Sequence, residues 1–586
     1  MLPELWFSRM GGAARVLWAL WFAALLAWPV FLYAQQQPAV GESAAGGSRA
    51  CFSVIHQTKV PVPMRDGVKL AAEIFRPDAP GNFPALLSLR YFREGADRAE
   101  FFARQGYAVA LVDCRGRYDS GGTWVPYVND PQDGYDAQQW LGTQPWCNGR
   151  IGMFGISYNG FTQLMSAPLG SPYLKCLVPH EAQQTNFGHL YNDGVMQLNV
   201  VFEFGLHTKQ GSQTQRIFPI DHQHYRRLPL LAAVDDFVGV EHVKDWFRHA
   251  RYDDYWKSYG IKEKYAKIKV PALFFTGWYD NLCHETWRNY LGFRQQGGSQ
   301  AAREGTKIVV GPWTHGGSYG MPGLLQLQLR WYDYWLKRRA NGMDKQAPIR
   351  LYVMGAEKWR DEHEWPLART RFTRFYLHSC GRANSLCGDG RLTGSPPEAD
   401  EPPDRFVYDP ANPVYTLGGQ ISTHADVWGP RDRRSAQKRS DVLVYTSEPL
   451  AHDTEVTGPV DVELFAASSA VDTDFTATLT DVHPDGRAIH ICEGIRGATF
   501  RESLERPTPI EPGRVYRFPI SLWETSMVFK AGHRIRLEIS SSNFPRYARN
   551  QNTGLPLGTS AEIRKAQQTV YHSRRHPSCL VLPVIP

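Results

Sequence analysis

The segment Arg150-Ile151-Gly152-Met153-Phe154-Gly155-Ile156-Ser157-Tyr158-Asn159-Gly160 constrains this chain more than any other. Ile151, Met153 and Phe154 form the short apolar run that a buried strand uses, and Phe161-Thr162-Gln163-Leu164-Met165 suits the start of a helix. Between them the chain must turn sharply, which requires small residues around Ser157. Gly155 meets that need two positions before the serine. Two positions after it, where the pattern G-x-S-x-G asks for a second glycine, stands Asn159, with Gly160 following. Asn is the non-glycine residue that best tolerates unusual backbone angles, so a strand, a tight turn and a helix are still expected, with a nucleophilic serine at the tip. A Gly-x-Ser triplet is common in a chain with 52 glycines. The motif alone does not make an enzyme.

A hydroxyl is a poor nucleophile until a base removes its proton and a carboxylate orients that base. Two further segments supply both. Pro271-Ala272-Leu273-Phe274-Phe275-Thr276-Gly277-Trp278-Tyr279-Asp280 reads as a buried strand running into a glycine turn with an acid just beyond. Lys307-Ile308-Val309-Val310-Gly311-Pro312-Trp313-Thr314-His315-Gly316-Gly317 repeats the plan with a histidine. The strand ends of a parallel sheet point to one edge, so Ser157, Asp280 and His315 can meet there. Their order along the chain, Ser, Asp, His, is that of α/β-hydrolases. Taken singly, Asp280 reads as the N-cap of a helix starting near His284, and His315 as one of 19 histidines in a glycine loop. Taken jointly, in order and each at a strand end, they favour catalysis.

These three blocks resemble the signature segments of the CocE/NonD hydrolases, in the X-Pro dipeptidyl-peptidase (S15) group of α/β-hydrolases, which includes cocaine esterase and the α-amino acid ester hydrolases. The stretches from Asp113 to Gly122, from Asp133 to Trp140 and from Gln144 to Gly149 also match, and the resemblance extends over roughly residues 55 to 586. It implies an α/β-hydrolase fold with an inserted helical cap and a C-terminal jelly-roll β-sandwich, and cleavage of carboxylic esters or amides through an acyl-serine. It also implies an oxyanion hole with two donors, the backbone N–H of Tyr158 and a tyrosine hydroxyl just after an early strand. An ungapped comparison places Phe92 on that tyrosine. Either Tyr91 supplies the hydroxyl through a one-residue shift, which is the reading adopted, or the hole lacks that donor. The α-amino acid ester hydrolases carry carboxylates two and three residues after the catalytic acid, to attract the substrate ammonium. Here Leu282 and Cys283 stand there, which favours a general ester hydrolase over an α-amino ester hydrolase, an acyltransferase or a proline-specific dipeptidase. Asp193 and Glu181 are partial substitutes for that alternative. An alternative of another class is a non-catalytic protein whose sandwich binds glycan.

The domain plan follows from periodicity. Strand-like runs near 68–76, 84–90, 107–113, 151–155, 176–179, 271–276 and 307–311 alternate with helical stretches, as in a mainly parallel sheet covered on both faces. The first part of that domain is expected over 51–182 and the second over 265–346. An aromatic-rich insertion over 183–264 forms the cap. From 347 to 586 short β-prone runs separated by Gly and Pro, beginning with Ile349 to Val353, predict the sandwich. At the amino terminus Arg9 and Arg15 precede the apolar stretch from Val16 to Ala34. Residues 1–34 thus read as a signal peptide or membrane anchor and 35–50 as a linker, placing the folded part in the periplasm or outside the cell.

The formal charge of +7 on 586 residues is small and no basic run stands out, so nucleic acid is not an expected partner. The expected partner is a small-molecule ester or amide, with contact to a membrane only through an N-terminal anchor. Oligomeric state is not legible. No cofactor or metal is expected. His284-Glu285 is followed by Arg288 where a zinc-peptidase helix needs its second histidine, and Asp221-His222-Gln223-His224 reads as a solvated loop before a cation patch. Nine cysteines are sparse for this length. Cys380 and Cys387 are the candidates for a short disulfide loop, while Cys283 reads as a buried apolar filler.

Overall fold

The computed structural model describes residues 52–209, 222–421 and 428–586. The apolar leader, the whole linker over 35–50 and Asp221 lie outside them. Among the described residues no helix is long and apolar enough to cross a membrane.

The strands of the first half are short apolar runs because both of their faces are covered. β1 (Val54–Pro63), β2 (Lys69–Pro77), β3 (Phe83–Arg90), β4 (Ala108–Asp113), β5 (Cys147–Ile156) and β6 (Leu174–His180) precede the insertion. The insertion carries a small hairpin, β7 (Tyr191–Asn192) and β8 (Val195–Met196). After it come β9 (Leu273–Tyr279), β10 (Lys307–Thr314), β11 (Ile349–Val353) and β12 (Lys358–Glu362). All but the hairpin join one ten-stranded sheet in the order β1-β2-β4-β3-β5-β6-β9-β10-β11-β12. From β4 to β11 every neighbouring pair is parallel, while β1, β2 and β12 are antiparallel additions at the margins.

Side-chain alternation sorts each strand between two cores. Leu86, Val109, Phe154, Val178 and Phe275 face one side, where helices α1 (Ala96–Arg104) and, later in the chain, Leu324–Trp335 pack. Leu87, Ala110, Met153, Leu177 and Phe274 face the other, under α2 (Asp130–Gly142), α3 (Tyr158–Ser166) and Cys283–Gln296. The insertion between β6 and β9 folds as short helices, among them α4 (Asn186–Leu190), α5 (Leu198–His207) and α6 (Glu241–Arg248), with the hairpin between the first two. In order after it come α7 (Cys283–Gln296) and α8 (Leu324–Trp335).

Residues 349–362, which the sequence reading assigns to the sandwich, instead extend the first sheet. β11 pairs in parallel with β10, and β12 folds back on β11. A β-prone run such as Ile-Arg-Leu-Tyr-Val encodes a half-buried strand but not which sheet it joins, and that ambiguity moved the boundary. The Cys380–Cys387 disulfide is also corrected, since both thiols are exposed and unbridged. Cys283 is buried and free.

The C-terminal half is a β-sandwich. Its strands are β13 (Arg371–His378), β14 (Arg391–Thr393), β15 (Asp404–Tyr408), β16 (Leu443–Thr446), β17 (Thr454–Ser468), β18 (Asp474–Val482), β19 (Ala488–Gly497), β20 (Tyr516–Phe529), β21 (Arg534–Ser540), β22 (Ala566–Tyr571) and β23 (Cys579–Ile585). Ten of them form one hydrogen-bonded path, β20 lies off it on β17, and their inner faces share one main core. β17 shows why. Val460, Val462, Leu464 and Ala466 are buried in that core, while Asp461, Glu463 and Phe465 between them are partly exposed, the period of two that a one-sided strand requires.

The two halves are joined by polar contacts at the sheet edge and by stacked tryptophans. Tyr279 donates its hydroxyl to the His490 carbonyl at 3.1 Å, Gln420 donates to the Trp278 carbonyl at 3.2 Å, and His284 pairs with Glu524 at 2.9 Å. Trp287 on α7 is fully buried and stacks on Trp365 with ring centroids 4.2 Å apart. Replacing it by alanine removes a buried ring that also packs against Trp278 and Tyr290 and leaves a cavity in its place. Trp287→Ala is expected to cost about 3–5 kcal/mol. The check is a lowered apparent melting temperature and lowered urea midpoint, where an unchanged melting curve would contradict this account.

Candidate active site

Ser157 joins β5 to α3 with φ 57° and ψ −124°. Such a backbone is unfavourable for a residue with a Cβ, by roughly 1–3 kcal/mol, and persists only where its surroundings enforce it. Here they do. The Ser157 N–H donates to the His180 carbonyl of β6 at 2.9 Å, and its carbonyl accepts the Phe161 N–H at 2.9 Å. Gly155 has φ 154°, and a Cβ there would lie 2.4 Å from the Asn159 carbonyl oxygen. At Gly160 a Cβ would come within 2.7 Å of the His180 oxygen. The glycine that lets the helix settle on the sheet is therefore Gly160, one position later than the pattern asks.

Asn159 accordingly has ordinary helical geometry, which corrects the expectation of unusual angles. Its side chain has a separate role. Oδ1 accepts the Tyr91 N–H at 3.0 Å and Nδ2 donates to Glu94 at 2.9 Å, tying the loop after β3 to the serine turn.

β9 and β10 deliver the other two candidates to the same edge. Their register pairs Gly277 with Gly311 and Tyr279 with Thr314. A Cβ on Gly277 would sit 2.1 Å from the Trp313 carbonyl oxygen, so only glycine permits this approach. Asp280 is fully buried. Its Oδ2 accepts from Thr276 Oγ1 at 2.8 Å, and its Oδ1 accepts from the Leu282 N–H at 3.0 Å and meets His315 Nδ1 at 2.9 Å. With Nδ1 engaged by the carboxylate, Nε2 is the ring nitrogen left to accept a proton, as a general base for a serine requires. Ser157 is linked to this pair through β6. It bonds to His180, and the next residue, Glu181, reaches His315.

Glu181, which the sequence offers only as a partial substitute for an ammonium anchor, lies beside the base. It is fully buried, with φ 47°. Its Oε2 accepts the Gly316 N–H and lies 3.4 Å from His315 Nδ1, and its Oε1 accepts the Ser318 N–H at 3.2 Å. The carboxylate thus clamps the loop that carries the base. The strand-end argument applied to β5, β9 and β10 also puts Glu181, the residue after β6, at the strand-end edge, while its place beside His315 follows from β6 lying between β5 and β9 in the sheet.

The electrostatics follow from two carboxylates facing one imidazole. Burial acts to lower the His315 pKa, but the hydrogen bond and charge of Asp280 and the charge of Glu181 outweigh it and raise it to about 9. Burial and the Asp280 charge push Glu181 up to about 7. His189 in the cap is buried and, with the charge of His315 adding to burial, is held down to about 3. It is therefore a neutral wall residue at physiological pH. The ligand-type atoms of Glu181, Asp280 and His315 lie within 4.8 Å of one another. Their carboxylate oxygens are already taken by backbone N–H groups, Thr276 and the imidazole, an arrangement suited to handling a proton.

On the other side of Ser157, Tyr158 begins α3, so its N–H has no partner within the helix. Its phenol is committed elsewhere. The hydroxyl donates to Asp130 and accepts the Tyr127 N–H at 2.8 Å. Burial raises Asp130 to about 6. Tyr91 follows β3 directly. Its carbonyl accepts from Arg117 Nε at 2.9 Å, its ring stacks on Trp124 at 5.4 Å and lies 4.9 Å from the Tyr158 ring. Phe92 packs edge-on against it at 4.7 Å. Phe204 of α5 touches both Tyr91 and Tyr158, and stacks on Trp246 of α6. The cap therefore reaches the serine turn through aromatic rings.

The family model of the X-Pro dipeptidyl-peptidase (S15 family) matches residues 66–317, and that of the X-Pro dipeptidyl-peptidase C-terminal non-catalytic domain matches 341–581. The chain is 36% identical to cocaine esterase of Rhodococcus sp. (strain MB1 Bresler), over 90% of this chain and 98% of that protein. It is 26% identical to a putative serine esterase of Mycobacterium bovis, over 89% and 94%. Among solved structures, an aminopeptidase from the marine sediment archaeon Thaumarchaeota archaeon superposes with a TM-score of 0.80 at 24% identity, covering 94% of this chain and all of that one. An α-amino acid ester hydrolase gives 0.79 at 24% identity, covering 94% and 99%. These two share the fold.

Replacing Glu181 by glutamine removes a negative charge beside the base while keeping a group of the same shape. Loss of that charge lowers the His315 pKa. Activity that requires neutral imidazole then appears at lower pH, so the acid limb of kcat/KM for Glu181→Gln is expected to shift to lower pH. Ester turnover measured from pH 5 to 10 checks this; an unmoved or alkaline-shifted limb would contradict the assigned contact.

Proposed function

Because the chain belongs to the X-Pro dipeptidyl-peptidase (S15) family, as a CocE/NonD-type ester hydrolase, we propose that Ser157, His315 and Asp280 act as its catalytic triad on carboxylic esters. The observation that carries the assignment is the bond from His315 Nδ1 to buried Asp280, at the sheet edge where the strained Ser157 turn also ends. His315 takes the proton from Ser157 Oγ as that oxygen attacks the ester carbonyl. Asp280 fixes the tautomer and stabilises the imidazolium. The tetrahedral oxyanion is held by the Tyr158 N–H and the Tyr91 hydroxyl. It collapses to an acyl-serine as His315 protonates the departing alcohol. Water, deprotonated by the same imidazole, then releases the acid and restores Ser157.

Several contacts support an ester of general kind over an α-amino ester. Leu282 and Cys283 are apolar and fully buried. Asp193 lies 3.4 Å from the Arg496 guanidinium, and Glu181 serves the histidine loop. The carboxylates weighed for an ammonium are thus engaged elsewhere. Cocaine esterase, a relative covered almost end to end, is named for an ester substrate, and the cluster of Tyr91, Trp124 and Phe204 rings around Tyr158, next to Ser157, suits an apolar acyl or alcohol group. We also infer export, from the leader over residues 1–34.

Two measurements test the mechanism. Ser157→Ala is expected to lower kcat on short-chain nitrophenyl esters at least about 10⁴-fold and to abolish labelling by a fluorophosphonate, with the fold unchanged by circular dichroism. Retained labelling in that variant would remove Ser157 from the mechanism. Tyr91→Phe is expected to lower kcat roughly 100-fold with little change in KM, as for loss of one oxyanion donor. An unchanged kcat would assign the second donor elsewhere. A panel of esters with and without an α-amino group reads the substrate class directly.

A further inference from the structure

Far from the catalytic edge in the chain, one rim of the sandwich gathers two histidines and an aspartate, and the register of the sheet explains how. β18 pairs with β21 so that Asp481 faces Ile535 and Val482 faces Arg534. His483 and His533 stand immediately beyond these paired ends, one on each strand. Residues two apart on a strand share a face, and directly opposed residues share it too, with Cβ atoms about 5 Å apart. Asp481, His483 and His533 therefore form a triangle on one face. Their ligand-type atoms all lie within 4.8 Å of one another.

The contacts are those of a site with one acceptor too few. His533 Nδ1 lies 2.9 Å from both oxygens of Asp481, while His483 Nε2 reaches Oδ2 only at 3.5 Å. The two imidazole rings sit 4.4 Å apart at a tilt of 38°. A single carboxylate is thus shared by two rings whose nitrogens converge on it. A dication between them would engage all three at once. Four tetrahedral ligands at the usual zinc distances lie about 3.3 Å from one another, and the observed separations of 2.9 and 3.5 Å bracket that value.

Accessibility and charge fit as well. The Asp481 side chain is 2% exposed, His533 14% and His483 27%, so the carboxylate forms the floor and the rings the mouth. The neighbouring cations are neutralised, with Arg487 on Asp485 at 2.7 Å and Lys530 on Asp453 at 3.0 Å.

We propose that Asp481, His483 and His533 form a binding site for a transition-metal dication of the zinc class, at the rim where the β18–β19 and β20–β21 turns meet. Two imidazoles and one carboxylate are the ligand types such an ion takes, and three protein ligands leave the fourth tetrahedral position for water. The bound ion links the two turns across the sheet. It takes no part in the ester chemistry, so this site and the triad stand or fall separately.

The test uses untagged, EDTA-treated full-length enzyme titrated with Zn(II) in a calorimeter, and with Co(II) followed by visible absorption. Binding of one equivalent is expected, with the visible bands of tetrahedral Co(II). Affinity is expected to fall roughly 100-fold or more in His533→Ala and in the milder rim variant His483→Asn, with ester hydrolysis by both metal-free variants unchanged. Absence of stoichiometric binding to the native enzyme would overturn the proposal. So would binding that persists at native affinity in both variants, which would assign the metal to another cluster such as Glu181, Asp280 and His315.

Discussion

The hydrogen bond from His315 Nδ1 to the buried Asp280 carboxylate is the contact on which the chemistry of this molecule depends. It exists because β9 and β10 run parallel and in register as far as Gly277 and Gly311, where the register shifts before Tyr279 pairs with Thr314. Gly277 admits the backbone of Trp313 at a distance no Cβ would allow, and beyond that crossing the two strands release an acid and a base that face each other. Everything upstream, from the apolar runs that place the strands side by side to the helices that cover both faces, serves to fix the spacing of those two loops. A buried carboxylate without partners would cost several kcal/mol. Thr276, the Leu282 N–H and the imidazole each offset part of that cost, which makes the acid a fixed group.

The serine side is organised by a different device. Strain at Ser157 is balanced by hydrogen bonds to β6 and within α3, and Asn159 anchors the backbone of Tyr91 to the same turn. Nucleophile and oxyanion candidates therefore move as one unit. The base is held by another unit, the Glu181 clamp on Gly316 and Ser318. β6 connects the two, because His180 accepts from Ser157 and Glu181 binds the His315 loop. A change in β6 should consequently be felt at both the nucleophile and the base, although neither side chain belongs to it.

Much of this was legible in the sequence. The parallel sheet appears as alternating apolar runs and helices, and the fold class and family follow from three blocks around Ser157, Asp280 and His315. What escaped was information that a strand does not carry locally. Ile349–Val353 announces itself as a strand but not that its partner is β10. The small residue the turn needs is Gly160 and not the residue at position 159, because the close approach of α3 to His180 is a tertiary fact. Glu181 looked like a spare carboxylate because its function depends on which strand lies between β5 and β9, and that order is set by the sheet. The triangle of Asp481, His483 and His533 joins residues up to 52 positions apart and becomes visible only once the register of β18 against β21 is known.

The two clusters illustrate one rule applied with opposite results. At the catalytic edge, two carboxylates flank one imidazole, and the surplus negative charge raises the proton affinity of the ring. At the sandwich rim, two imidazoles flank one carboxylate, and the surplus is in lone-pair donors. The first ratio holds a proton tightly and suits a base that must cycle through its charged form. The second leaves nitrogen donors free and suits a cation brought from outside. In both cases the count of acids and histidines is set by strand ends meeting at a sheet margin. There solvent reaches the rings but barely touches the carboxylates beneath them. That combination lets one chain keep two chemically distinct sites built from the same residue types.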